Sequence, residues 1–165
     1  MKRALKQLSG RRRQTAGDLG VLGELRLLRS RVPHLTGAVA IGSDGTLLAH
    51  DAPGTDAGTL ATLTTSALVG ALRLADGAGR GRFRELLVRG EEGYLAAYAA
   101  GPAAVLAVLA EPHANVGRIH LEARRAGTRI ADLVEGAGER PEKTRAAPRP
   151  HQGAGTPRPR PPGKP

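Results

Sequence analysis

The sequence predicts an α/β chain of the α+β kind: a five-stranded, mostly antiparallel sheet flanked by helices, in the order α-β-β-α-β-β-β-α. Three observations carry this expectation. Apolar residues recur at helical spacing in three stretches, 18–31, 56–72 and 115–135. Five short apolar runs lie between them, bounded by Gly, Pro, Asp or Glu-Glu turn signals. Only one link between strands is long enough to hold a helix, so the others are hairpins joining antiparallel strands.

Asp18 to Arg31 forms the first predicted helix. Leu22, Leu25 and Leu28 fall on one side with Arg26 and Arg29 interleaved. Pro33 stops it, because the proline ring pushes the preceding residue out of helical backbone. Gly37 to Ile41 and Thr46 to His50 flank the turn Ser43-Asp44-Gly45, a β-hairpin pattern. Pro53-Gly54-Thr55-Asp56 then breaks the chain. Thr55 or Asp56 suits the cap of the next helix, since a short side-chain oxygen accepts the amide hydrogens that a first turn leaves free.

In that second helix Leu60, Leu63, Ala67, Leu68, Ala71 and Leu72 recur at helical spacing, and no residue from 57 to 72 is charged. A surface helix ordinarily keeps a charged face. A back of Thr59, Ala61, Thr62, Thr65 and Ser66 instead predicts cover on both sides, by the chain's own sheet and by a partner.

The Gly-rich link 77–81 leads to a third strand with Phe83, Leu86, Leu87 and Val88. Glu91-Glu92-Gly93 turns into a fourth, Tyr94 to Ala99, with Tyr94, Ala96 and Tyr98 on one face. Gly101-Pro102 turns into Ala103 to Ala110, apolar on both faces and so expected to be the most buried strand. Val116, Ile119, Ala123, Ala126, Ile130 and Val134 line one face of a closing helix over 115–135. The uncharged stretch from Gly93 to Ala110 has 18 residues, a membrane-helix length. Pro102 in its middle would cost a helix about 3 kcal/mol, and two strands account for the same residues.

The net charge of +10 belongs to the ends. Residues 1–13 carry six bases and no acid, 136–165 carry seven bases and two acids, and 14–135 nets −1. The expected organisation is a basic flexible N-terminal arm over 1–15, a domain over 16–135, and a disordered Pro/Arg-rich basic tail over 136–165. The tail holds eight of the twelve prolines and no Leu, Ile, Val, Phe or Tyr, so it has nothing to bury against the entropy of ordering. The basic start lacks the apolar stretch of a secretory signal, no transmembrane segment is expected, and there is no Cys. These features together give the expectation of a cytoplasmic location.

Several phrases in order carry a family resemblance. They are Gly42-Ser43-Asp44-Gly45 followed by Leu47, Leu48 and Ala49; the helix over 61–75 and the Gly-rich break after it; and the strand from Phe83 to Val88. Glu92-Gly93-Tyr94-Leu95, Ala104 to Leu109, and Asn115-Val116-Gly117 with Ala123, Arg124 and Arg125 complete the set. Over most of 19–134 the chain resembles the roadblock/LC7 domains in their bacterial form. Gly58 and Gly70 inside the second helix, and the alanine richness of 103–110, depart from the family pattern.

The resemblance implies a five-stranded antiparallel sheet, and a homodimer or a pairing with a sister roadblock subunit made by joining sheets and packing second helices. It implies a non-enzymatic scaffold or regulator whose partner is a small Ras-like GTPase, acting by docking and biasing its nucleotide state. The residues expected at the dimer interface are Leu60, Leu63, Thr64, Ala67 and Leu68 from the helix, with Phe83, Arg84, Leu86 and Val88 from the strand.

The residues themselves offer little chemistry. A phosphate loop needs glycines that let backbone amides wrap the phosphates ahead of Lys-Thr. Lys143-Thr144 has Glu142 and Ala137 at the glycine positions, so the chain is not expected to be the GTPase itself. None of Ser9, Ser30, Ser43 or Ser66 stands in a G-x-S-x-G elbow, and Glu91-Glu92 reads as a hairpin tip, so no catalytic residue is expected. No two of His34, His50, His113, His120 and His151 stand three or four apart, so no helical metal pair exists, and neither metal nor cofactor is expected.

Arg118, Arg124, Arg125 and Arg129 form a basic stripe, read as a solvated face or as a contact for an acidic partner. Arg80, Arg82 and Arg89 are too loosely placed to assign an arginine finger. The basic arms suit weak contact with a nucleic-acid backbone or an anionic surface, though they carry no aromatics to stack bases. The alternatives to the GTPase regulator are thus a small sensor or ligand-binding module, and a nucleic-acid- or anionic-surface-associated protein acting through its arms.

Overall fold

The strand without a polar side chain takes the middle of the sheet. In the computed structural model, which describes the backbone of residues 2–138 and the side chains of 17–137, the order is β2-β1-β5-β4-β3. Along the chain the elements are α1 (Lys2–Arg31), β1 (Leu35–Gly42), β2 (Leu47–Asp51), α2 (Ala57–Gly77), β3 (Glu85–Gly90), β4 (Gly93–Ala100), β5 (Ala104–Ala110) and α3 (Val116–Gly138). All neighbouring strands are antiparallel, and the α2 link is the single crossover. The α+β class and element order are those the sequence predicts.

Register sorts the side chains onto two faces. Val39 lies opposite Ala107, Ala107 opposite Ala97, and Ala97 opposite Leu86, so these four share one face. The other face carries Ala38, Ala40, Tyr98, Leu106 and Val108, packed beneath Leu25 and Leu28 of α1 and Ile119, Ala123, Ala126 and Ile130 of α3. Alanine on both sides of this contact lets helix backbones come close to the sheet. On the first face, Ala57, Leu60 and Ala61 of α2 pack on Val39, Ile41 and Ala107. The principal contacts of α2 are with β1 and β2. The β4–β3 half of that face therefore stays comparatively open, with Val88 exposed and Leu86 and Leu95 half-buried.

The turns follow local chemistry. Asp44 Oδ1 accepts the Thr46 amide at 3.0 Å and its hydroxyl at 2.6 Å, closing the β1–β2 hairpin. At the start of β4 only glycine fits: Gly93 has φ 140°, and a Cβ there would overlap the Ala110 carbonyl oxygen. The stretch from Gly93 to Ala110 forms two strands and a turn, and no described helix is long and apolar enough to cross a membrane.

Three boundaries differ from expectation. α1 begins at Lys2, so the backbone of the expected loose arm is helical; Ala, Leu, Lys, Arg and Gln are strong helix formers and carry the turn pattern through Gly10. α2 continues past Leu72 to Gly77. α3 takes in Gly136, Ala137 and Gly138, the first residues of the expected tail, and the rest of that tail, 139–165, lies outside the described residues.

Candidate functional site

The outer face of α2 carries no charged residue from 57 to 72, and hydrogen bonds within the helix take up its polar side chains there. Asp56 caps the helix: its Oδ1 accepts the amides of Gly58 and Thr59 at 3.0 and 3.3 Å, and its Oδ2 accepts the Thr59 hydroxyl at 2.7 Å. The Thr59 hydroxyl above all, then the backbone amides, hold the Asp56 carboxyl below its usual value. Further along, the hydroxyls of Thr62 and Ser66 donate to the carbonyls of Gly58 and Thr62 at 3.1 and 3.0 Å. Turned inward in this way, they leave methyl, methylene and backbone surface outermost. Thr62, Ser66 and Gly70, one turn apart, form an exposed small-residue seam flanked by the exposed Leu63 and Val69.

The nine residues expected at an interface divide between two environments. Leu60, Thr64 and Leu68 are buried on the inner side of α2, whereas Leu63 is 62% exposed and Ala67 is exposed. Residues 60, 64 and 68 stand four apart and share one helical row, while 63 lies on another. The sequence set thus mixes a sheet-facing row with an outward one. Phe83 and Arg84 precede β3, with Phe83 half-buried and Arg84 exposed. Leu86 is half-buried and Val88 is 47% exposed on β3, which pairs with β4 alone and leaves its other edge free among the described residues.

Between α2, the ends of β1, β4 and β5 and the link ahead of β3 lies an apolar groove of about 390 Å³, lined by Ile41, Leu68, Leu72, Phe83, Pro102 and Val105 among others. Arg82, Ser43 and Thr65 supply the polar side chains of its lining.

The arginines of the α3 stripe find acceptors within the chain, while Arg124 and Arg125 stay exposed. Arg118 donates to the Arg31 carbonyl at 2.7 Å, Arg124 to Glu85 at 2.8 Å, Arg125 to Glu122 at 3.0 Å and Arg129 to Glu24 at 2.6 Å. Beneath Arg124, the Tyr98 hydroxyl lies 2.8 Å from His120 Nδ1 and Glu85 lies 3.7 Å from the same nitrogen. Burial, reinforced by the Glu85 charge and opposed by Arg124, pushes the Tyr98 phenol well above its usual value. This cluster ties β3, β4 and α3 together.

A different convergence occurs at the opposite end of β5. Leu35 pairs with Ala110, which brings the α1–β1 loop beside the β5–α3 loop. His34 Nδ1 lies 3.0 Å from Glu111 Oε2 and 2.9 Å from His113 Nε2, and His113 Nε2 lies 3.0 Å from the same carboxylate oxygen. His34 takes φ 66°, a left-handed backbone that costs a residue with a Cβ about 1–2 kcal/mol. Its carbonyl accepts the Glu111 amide at 3.0 Å, which locks the two loops in this arrangement. Histidine spacing along the chain does not reveal this cluster, because its two histidines are 79 residues apart and Glu111 stands two residues before His113.

The Roadblock/LC7 domain family model matches residues 21–110. No curated protein matches the sequence. Among solved structures, one described as MglB with tetrameric arrangement superposes with a TM-score of 0.69 at 29% identity, covering 74% of this chain and 93% of that one. The gliding protein MglB from Thermus thermophilus superposes at 0.67 with 28% identity, over 73% of this chain and 93% of that one. A Roadblock/LC7 domain from Streptomyces avermitilis superposes at 0.51 with 29% identity, over 71% and 93% of the two chains.

Proposed function

The chain belongs to the Roadblock/LC7 domain family, and from that premise we propose that it is a non-enzymatic cytoplasmic scaffold that dimerises, docks a small Ras-like GTPase and biases its nucleotide state. The observation that carries this reading is that α2, uncharged on its outer face over 57–72, packs mainly on the β2–β1 side of the sheet, while β3 at the far edge pairs with β4 alone among the described residues. A helix face of small residues permits close approach of a second helix, and a free strand edge offers a row of backbone donors and acceptors to a second sheet. Together they suit one two-fold contact in which a second copy, or a sister subunit, covers both.

In this proposal Leu63 and Ala67 meet the partner helix, while Phe83, Arg84, Leu86 and Val88 line the joined edge. Leu60, Thr64 and Leu68 anchor α2 to its own sheet and set the height of its outer face. The description of a similar structure as tetrameric supports self-association. The joined sheets form a platform for the GTPase. Such a platform shifts the nucleotide state only by binding one switch conformation more tightly than the other.

The test combines light scattering over a concentration series with capture of the partner GTPase loaded with GDP or with a GTP analogue. A dimer that prefers one nucleotide state is the expected result. A strict monomer at every concentration overturns the dimer, and equal capture in both states overturns the bias.

A further inference from the structure

We propose that His34, Glu111 and His113 form a binding site for a divalent transition-metal ion of the zinc class, separate from the α2 and β3 surface. The argument rests on how three side-chain atoms face one another. His34 Nδ1, His113 Nε2 and Glu111 Oε2 make a triangle with sides of 2.9, 3.0 and 3.0 Å.

Hydrogen bonding alone leaves one side of this triangle unsatisfied. The carboxylate oxygen only accepts, so every proton must come from the two ring nitrogens. If both nitrogens carry a proton and donate to Glu111, the two N–H groups confront each other. If His113 carries the proton and His34 does not, the His34 lone pair confronts the carboxylate, and the reverse assignment leaves the His113 lone pair facing it instead. A cation removes the conflict, because all three atoms then offer lone pairs to the same centre.

The donor chemistry and size agree with that occupant. Two imidazoles and one carboxylate are a usual ligand set for zinc, whose bonds to nitrogen and oxygen are about 2.0–2.2 Å. Ligand atoms at that distance in tetrahedral geometry stand about 3.3 Å apart, a few tenths of an ångström wider than the triangle here. Softer thiolate-preferring ions have no cysteine in this chain, and harder oxygen-preferring ions are poorly served by two ring nitrogens.

The two loops are already held in place. The Glu111 amide donates to the His34 carbonyl at 3.0 Å, the Ala114 amide donates to the Glu111 carbonyl at 3.1 Å, and β1 and β5 pair immediately beside them. The side chains are 43–65% exposed, so an ion has an entry path and its fourth position faces solvent. That position suits a water molecule or a side chain from a partner.

The experiment uses the full chain without an affinity tag, stripped with a chelator, and titrated with Zn2+ by calorimetry. His34→Asn keeps a residue that tolerates left-handed backbone, Glu111→Gln keeps the shape of the carboxylate, and His113→Ala removes an exposed ring. Wild type is expected to bind one ion per chain, and each substitution to weaken binding by at least about tenfold. Co2+ in place of Zn2+ should show visible d–d absorption that the His34→Asn/His113→Ala variant loses, with circular dichroism showing that this variant stays folded. Zn2+ should raise the melting temperature of wild type and not of the double variant. Absence of binding, variants that bind like wild type, or binding lost with His151→Ala instead each overturn the proposal.

Discussion

The hydroxyl of Tyr98, at the buried centre of β4, lies 2.8 Å from Nδ1 of His120 on α3. The contact satisfies the one polar atom of a side chain that is otherwise sealed between the sheet and the helix. Removing it with Tyr98→Phe keeps the ring and should cost about 0.5–1.5 kcal/mol of stability, read by urea unfolding near neutral pH. A variant as stable as wild type would show that this bond adds nothing beyond packing.

The same residue sets an alkaline limit. The folded phenol is held above its ordinary 10.0 by burial and by Glu85, while the unfolded phenol ionises at that ordinary value. Above pH ~10 the folded state therefore holds the proton that the unfolded state has released. The contribution is complete below the unfolded value and is lost as pH rises past it. Stability should fall more steeply with alkaline pH in wild type than in Tyr98→Phe, measured by melting at a series of pH values.

Asp56 sets a corresponding acid limit. Its carboxyl is held below the ordinary carboxylate value of 3.8 by the Thr59 hydroxyl and by the amides of Thr59 and Gly58. The stability it supplies is present above that value and is lost as pH falls through its lowered one. Asp56→Ala should lower the melting temperature at neutral pH, and the gap to wild type should close as the cap is protonated. Thr59→Val should reproduce part of the loss.

Two glycines should respond in opposite ways to alanine. Gly93 has φ 140° and a Cβ there collides with the Ala110 carbonyl, so Gly93→Ala should cost about 1–3 kcal/mol or more, seen as a lowered urea midpoint. Gly70 stands inside α2 with nothing within 4 Å of the added atom. Gly70→Ala should stabilise the isolated chain by about 0.5–1 kcal/mol.

Gly70 also tests the partner face directly. A Cβ at position 70 meets no neighbouring element, and Gly70→Arg places a cation on the exposed seam beside Thr62 and Ser66. It should leave the circular dichroism spectrum unchanged and shift light scattering toward monomer. An unchanged mass would remove α2 from the proposed contact.

The order of elements was legible because its signals are local. Leucines one turn apart mark helices, Ser43-Asp44-Gly45 and Gly101-Pro102 mark turns, and an unbroken apolar run marks the central strand. The cap was legible too, narrowed to Thr55 or Asp56 and taken by Asp56. Even the absence of charge from 57 to 72 could be read directly, and it singled out α2 before its neighbours were known.

What met what was not legible. Leu60 and Leu63 are the same residue type on the same helix, yet one rests on Val39 and Ile41 and the other faces out. The four arginines of α3 read as a solvated face or an acidic-partner contact, and only the fold shows their acceptors on α1, β3 and α3 itself. His34 and His113 meet only because Leu35 pairs with Ala110 across the sheet. Periodicity and turn chemistry act over a few residues and are written in the chain's order. Strand register acts across the whole fold, and it alone decides which distant side chains share a face or a few ångströms of space.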